Sequence, residues 1–233
     1  MVGASAQGGH RGVRATAGAS RAGEEPPDLL AAPLEVRVDA GERVVVVPVD
    51  GLDEIREELR LEEAEKAAAI AGVDLRVYDW GDYPMRIDDD SKLEMVRLLR
   101  ELRPDVVLTH GRKDPNNPDH VATASLVEGA AIWARAHGRL PELARTVVPE
   151  IYGFEPEFPE FCDFRADTYL DISDVAEQKL EMMRCSSVQD FMIETYEQRA
   201  RYRAIMAGLI LRKPVTHAEA YESFLPRAGE LFS

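Results

Sequence analysis

The residues most able to do chemistry lie in one stretch, Asp105 to His120, with the sequence DVVLTHGRKDPNNPDH. The stretch opens with a short run of β-branched and aliphatic residues, which is typical of a buried strand. It continues as a loop that Pro115 and Pro118 stiffen, and its histidine, acidic, basic and amide side chains are ones that a core excludes. Because ligands in open α/β sheets bind where loops leave the carboxyl ends of strands, the stretch predicts a ligand site.

His120 begins the helical pattern that follows, Val121 to Ala136, and Asp119 is the predicted N-cap of that helix. A helix N-terminus carries a partial positive charge, which disfavours the imidazolium form. We therefore expect His120 to be neutral, the form that binds a metal ion. We expect Asp119 to orient His120 or to act as an acid or a base. From these two residues alone, the alternative is a capped helix start with a surface histidine.

Composition limits the classes of function that the chain can have. It has 233 residues, 43 of them acidic and 28 basic, and a net charge of −15. Nucleic-acid binding needs a basic face, so we predict no nucleic-acid partner, although a local basic pocket could still hold a small anion. No apolar run reaches the ~18–20 residues of a membrane span. The two cysteines form neither a disulfide framework nor a zinc cluster, which predicts a cytoplasmic location.

Alternating strand and helix patterns must position the polar loop. Strands are predicted at residues 42–49, 73–78, from 106, 147–154 and 168–172. Helices are predicted at residues 53–71, 92–102, 121–136, 174–184 and 195–211. This alternation favours an α/β fold with a parallel sheet and right-handed crossovers. The last segment, residues 217–232, is expected to pack over the sheet or against a neighbouring subunit through its aromatic side chains.

Residues 1–33 differ in composition from the rest of the chain. They are rich in Ala, Gly, Ser and Arg, and they contain no acidic residue before Glu24. Their apolar residues show no period, which indicates disorder or an aberrant translation start. We therefore predict a single α/β domain over residues 34–233.

A series of short motifs, taken in order, resembles the LmbE/PIG-L superfamily. It comprises Arg60-x-x-Glu63-Ala64, then Leu102 to His110 (LRPDVVLTH), then Pro118-Asp119-His120. Further motifs look like the 4-oxalomesaconate hydratase branch: DYP at 82–84, KDP at 113–115 with Asn117, FEP at 154–156 and DTYLDI at 167–172. The resemblance implies a Rossmann-like fold, with a mostly parallel sheet and helices on both faces.

The resemblance also implies a zinc-dependent enzyme in which His120 is a metal ligand. It would complete a set of two histidines and one aspartate, with an open position for water. Deacetylases of the superfamily usually carry a histidine three residues earlier, where this chain has Asn117. That difference favours a hydratase of a tricarboxylic keto acid, as used in aromatic-acid degradation, over a zinc-dependent N-deacetylase.

The candidate catalytic residues are Asp119, His110 and Asn117. The candidates for binding the carboxylates of a small anionic substrate are Lys113 and Arg112. In the family, a first strand ending in a His-x-x-Asp loop supplies the other two metal ligands, and nothing in residues 1–41 has that form. A third hypothesis is therefore a non-catalytic protein that keeps the scaffold for binding. Family members often assemble, so we expect a homo-oligomer.

Overall fold

A seven-stranded sheet forms the centre of the structure, a computed structural model that describes residues 34–37, 43–48, 54–81, 84–186 and 190–226. Its strands are β1 Leu34–Arg37, β2 Arg43–Pro48, β3 Asp74–Tyr78, β4 Val106–Thr109, β5 Glu150–Phe154, β6 Thr168–Asp171 and β7 Ala218–Ser223. Across the sheet they follow the order β3-β2-β1-β4-β5-β7-β6. Residues 1–33 lie outside the described residues, and the single domain stays a prediction.

Five helices pack around the sheet in the described part of the chain. They are α1 Glu54–Ala71, α2 Asp89–Leu102, α3 Pro118–Arg135, α4 Ala176–Met183 and α5 Asp190–Leu211. Helices α2 and α3 pack together over Val107 and Ile151. Glu219 of β7 points to the face opposite Ile151 and pairs with Lys179 of α4, which packs against α1. Helices therefore cover both faces, and the predicted α/β class is confirmed. None of the described helices is long and apolar enough to span a membrane.

The sheet is mixed, which corrects the prediction of a mostly parallel sheet. Only β2 with β3 and β4 with β5 pair in parallel, whereas the other four pairings between described strands are antiparallel. Residues 38–42 join β1 to β2, and so short a connection makes a hairpin, because a parallel crossover needs a dozen residues or more. Strand β1 therefore runs opposite to its two neighbours.

Residues 218–223 of the C-terminal segment form a strand of the sheet, so their predicted packing as a separate covering segment was wrong. Residues 227–232 of that prediction lie outside the described residues. Strand β7 lies between β5 and β6 and pairs with both. The aromatic side chains of Tyr221 and Phe224 are each only 6% exposed. They pack inside this chain and do not present the exposed aromatic surface that suggested a partner.

Arg100 is a buried cation that holds the end of α3 against α2. It is 3% exposed. Its guanidinium donates to the backbone carbonyls of Ala134, Trp133, Ala136, Arg139 and Leu140 at 2.6–3.3 Å. Carbonyls at the end of a helix have no partner within the helix, so this one side chain satisfies several of them at once.

We expect Arg100→Met to lower the free energy of unfolding by about 3 kcal/mol, because several buried carbonyls lose a charged donor. Urea denaturation followed by circular dichroism measures the change. Arg97 of the same helix is the matched control, since it is half-exposed and makes one 3.3 Å contact with Glu142. Arg97→Met should cost less than about 0.5 kcal/mol. Equal losses in the two variants would contradict this role of Arg100.

Candidate functional site

The candidate site lies at the carboxyl edge of two parallel strands. Strands β4 and β5 pair with Thr109 opposite Gly153, so the loops after them leave the sheet side by side. The ring of His110, 3% exposed, stacks on the ring of His120 with centroids 3.8 Å apart. The edge of Phe154 from the second loop lies 4.7 Å from His110. The structure therefore brings the two predicted histidines together beneath the loop that follows β5.

Asn117, and not Asp119 as predicted, is the N-cap of α3. Its side-chain oxygen accepts hydrogen bonds from the backbone N–H groups of Asp119 and His120 at 3.0 and 3.4 Å. Pro118 occupies the first helical position, where its missing N–H costs nothing. Asp119 lies in the first turn and is 8% exposed. Asn117 is only 2% exposed, so its observed role is to fix the start of the helix.

The hydrogen bonds of His120 define its tautomer. Its Nδ1 lies 2.7 Å from Oδ2 of Asp114, and its Nε2 lies 3.0 Å from Nδ2 of Asn117. Because the Asn117 oxygen caps the helix, its nitrogen must face His120 and donate to Nε2. Nδ1 therefore carries the proton and donates to Asp114. With this tautomer, Nε2 is the ring nitrogen that accepts a hydrogen bond.

Asp114 supports both the loop and the imidazole, a role that the sequence reasoning missed. Its Oδ1 accepts the backbone N–H groups of Asn116 and Asn117 at 2.9 and 3.2 Å, which closes an Asx turn. Its Oδ2 is thereby left for His120. The run Asp-Pro-Asn-Asn is a turn signal in the sequence and could have identified this residue.

The loop after β5 is held by two arginines of α5. Arg203 donates to both oxygens of Glu155, at 2.9 and 2.5 Å. Arg199 donates to the backbone carbonyls of Pro156 and Glu157 at 2.7 and 2.6 Å. Glu155 is 9% exposed, and a carboxylate buried to this extent needs such partners. These residues fix where the loop runs beside His120.

Glu157 is a half-buried acid that the sequence reasoning also left out of the site. Its Oε2 is buried and has no hydrogen-bond partner among the described residues. Burial raises the pKa of Glu157 above its usual range, and the charge of Arg199 offsets part of that rise. Asp114 and His120 also act on this pKa, so the Glu157 carboxyl lies within electrostatic reach of both. A partly buried acid with one unpaired oxygen, within electrostatic reach of a histidine, is a candidate proton donor.

The predicted substrate-binding cations line a cavity beside this cluster. The cavity is lined by Gly111, Arg112, Lys113, Pro156, Cys162, Asp163, Phe164 and Glu222. Lys113 pairs with Asp163, and both side chains are more than half exposed. Arg112 donates to Glu128 through two nitrogens and to the carbonyl of Phe224, and Glu128 raises the pKa of Arg112. Exchanging Asp163 for a substrate carboxylate at Lys113 should therefore cost less free energy than displacing Glu128 from Arg112.

The described residues do not complete a metal site around His120. Both ring nitrogens of His120 bond to protein groups. Among the residues that the structure describes, no group of three or more His, Cys, Asp or Glu side chains is placed to hold a metal ion. Zinc sites in proteins use three or four such ligands. Zinc therefore stays a prediction, and its remaining ligands would have to come from outside the described ranges.

Known proteins similar to the chain include two kinds of enzyme. Residues 31–131 match the family described as PIG-L: GlcNAc-PI de-N-acetylase. The chain is 37% identical over 175 residues to the 4-oxalmesaconate hydratase of Pseudomonas putida, covering 73% of this chain and 68% of that protein. It is 31% identical over 158 residues to the diacetylchitobiose deacetylase of Thermococcus kodakarensis, covering 64% of this chain and 57% of that protein.

Solved structures share the fold. The 4-carboxy-2-hydroxymuconate hydratase GalB of Pseudomonas putida has a TM-score of 0.74 at 34% identity, over 78% of each chain. The N,N'-diacetylchitobiose deacetylase of Pyrococcus horikoshii has a TM-score of 0.62 at 20% identity, covering 78% of this chain and 72% of that one. At 20% identity the second likeness shows the fold alone.

We expect Asn117→Ala to lower the free energy of unfolding by about 1–2 kcal/mol, because the first turn of α3 loses its cap. Asn117→Ser keeps a capping oxygen but cannot reach His120, so it should recover most of that loss. Urea denaturation measures both variants. If the two variants lose the same free energy, capping is not what Asn117 contributes to stability.

Proposed function

The chain belongs to the PIG-L/LmbE family, and we propose that within this family it is a hydratase of an unsaturated, tricarboxylic keto acid. The observation that carries the proposal is the site itself: His120, held by Asp114, acts electrostatically on Glu157, whose Oε2 is buried without a hydrogen-bond partner among the described residues. Addition of water to a double bond needs one group to take a proton and another to give one. The identity to the 4-oxalmesaconate hydratase of Pseudomonas putida supports the same class of substrate.

In the proposed reaction, water adds across a carbon–carbon double bond conjugated to the keto group. His120 takes a proton from water at Nε2, and the water oxygen bonds to one alkene carbon. Asp114 holds the Nδ1 proton and stabilises the imidazolium that forms. Glu157, whose pKa burial raises, gives its proton to the neighbouring carbon. His120 then releases its proton to solvent and Glu157 takes one up, which restores both groups. His120 must first exchange the Asn117 amide for the water, at a cost of about 1 kcal/mol.

We propose that the substrate carboxylates enter the cavity lined by Lys113 and Arg112. The exposed pair between Lys113 and Asp163 is weakly held, so a substrate carboxylate can replace Asp163. Arg112 keeps Glu128 and shapes the wall of the cavity. Asp119 and His110 remain catalytic candidates, because both are buried. Asp119 directly precedes His120 in the sequence, and the ring of His110 stacks on the ring of His120. We further propose that the enzyme works in the cytoplasm.

An N-deacetylase is the second candidate, because a deacetylase relative is 31% identical over 158 residues. The position three residues before His120 favours the hydratase. Asn117 there is committed to capping α3 and to His120, so it offers no titrating group for amide hydrolysis.

Two assays on one preparation separate the candidates. Purified full-length chain, prepared with and without added zinc and analysed for bound metal, is given a conjugated tricarboxylic keto acid or an N-acetyl sugar. We expect loss of the conjugated absorbance without acetate release. Acetate release without hydration would replace the proposal by the deacetylase. Activity in neither assay would leave a non-catalytic protein.

Two variants test the roles of single residues. Asp114→Asn should lower kcat/KM for hydration by about 100-fold or more, because the imidazolium of His120 loses its partner. If bound metal is retained in His120→Ala, His120 is not a metal ligand.

We expect Glu157→Gln to lower kcat by about 100-fold or more while KM changes little, because the amide keeps the shape but gives no proton. For the wild type, kcat should fall as pH rises through the raised pKa of Glu157, since the donor is lost there. The variant should lack that fall. Glu160, an exposed acid in the same loop, is the matched control, and Glu160→Gln should retain kcat and its pH profile. An unchanged pH profile in Glu157→Gln would exclude Glu157 as the donor.

A further inference from the structure

In its C-terminal half, from Ala200 to Leu211, helix α5 has its small side chains toward the sheet and its large apolar ones toward solvent. Ala204 and Ala207 are buried against Ala218 of β7. A Cβ added at Gly208 would come within 3.1 Å of the Lys213 carbonyl oxygen, so the backbone there leaves little room. Ala204 and Ala207 thus bring the helix close to the strands, and Gly208 brings its last turn close to the segment that follows it. The large apolar side chains of this half lie on the outer side, the reverse of an ordinary surface helix.

The outer side carries a continuous row of side chains, which we call the α5 stripe: Tyr202, Ile205, Met206, Leu209 and Ile210. Their exposed fractions lie between 41% and 70%. The spacing forms two neighbouring i, i+4 ridges, 202-206-210 and 205-209. Such ridges interdigitate when two helices cross at about −50°, the commonest helix packing in globular proteins. Apolar surface residues usually occur singly, so a patch of this regularity indicates a binding surface, and its ridges fit another helix.

The charges around the α5 stripe favour a second copy of this chain as the partner. The chain has a net charge of −15, but it has no acidic residue from Gln198 to Ala218. At one end of the stripe Arg201 pairs with Glu197 at 2.8 Å, and at the other Lys213 pairs with Asp171 at 2.7 Å. Two copies can therefore meet here without the acid–acid repulsion expected elsewhere. An anionic lipid surface would instead be recognised by a cluster of several unpaired cations. Because Arg201 and Lys213 have acidic partners, the exposed Arg212 beside them does not extend into such a cluster.

We propose that the α5 stripe is the surface through which two copies of the chain associate, α5 against α5 about a two-fold axis near Met206. A two-fold axis is the commonest symmetry of closed oligomers, and it needs only one self-complementary surface. With the axis at Met206, this residue meets its own counterpart, and Tyr202 of each copy meets Ile210 of the other. The proposal does not depend on which reaction the site performs.

Sedimentation of the full-length chain tests the proposal. We expect the wild type to sediment at twice the chain mass at about 100 µM and to dissociate on dilution. Met206→Glu should weaken the dimer by about 100-fold or more, because the interface would bury two facing carboxylates. The matched control is Ile132→Glu, because Ile132 of α3 is 64% exposed and lies outside the α5 stripe. The control should sediment as the wild type does, and circular dichroism should show both variants folded.

Mixing two charge variants tests the two-fold axis itself. Met206→Lys should also be monomeric, and an equimolar mixture with Met206→Glu should recover the dimer, since opposite charges then meet at the axis. A wild type that stays monomeric at about 100 µM would overturn the proposal, and so would a Met206→Glu variant that stays dimeric. A monomeric wild type that floats with phosphatidylserine–phosphatidylcholine vesicles would assign the stripe to a membrane surface instead.

Discussion

The side-chain amide of Asn117 is the contact on which the arrangement of the site depends. Its oxygen satisfies two N–H groups at the start of α3, which have no partner within the helix. Because the oxygen is committed there, the nitrogen must point at His120, and this fixes the imidazole in one tautomer. Asp114 works in the same way, with one oxygen on the loop backbone and the other on His120. The positions of the reactive groups thus follow from capping and turn formation.

Helix α5 is the second element on which the site depends, and its two opposite sides have different roles. Its inner side carries Arg199 and Arg203, which hold Glu155 and the backbone around Glu157. Its outer side carries the α5 stripe. Side chains on the two sides of a helix are separated by about 10 Å. A second copy bound to the stripe would therefore lie one helix away from the loop that holds the proposed proton donor.

The sheet shows how short connections override a sequence pattern. The alternation of strand and helix correctly predicted the α/β class and nearly every element, because strands that helices cover on both faces consist of nearly continuous apolar runs. It did not predict that β1 runs antiparallel or that β7 inserts between β5 and β6. Periodicity records which residues face a core. It does not record which strands become neighbours, and that is decided by loop length and packing.

The sequence by itself determined the local features: the strand that ends at Thr109, the polar loop after it and the helix that starts near His120. These depend on residues a few positions apart, so turn and capping preferences suffice to predict them, although the cap itself proved to be Asn117. The tertiary structure alone decided that Glu157 and Arg199 belong to the same site as His120. They are 37 and 79 positions further along the chain. Only the parallel pairing of β4 with β5, and the packing of α5 against the loop after β5, bring them to one edge of the sheet.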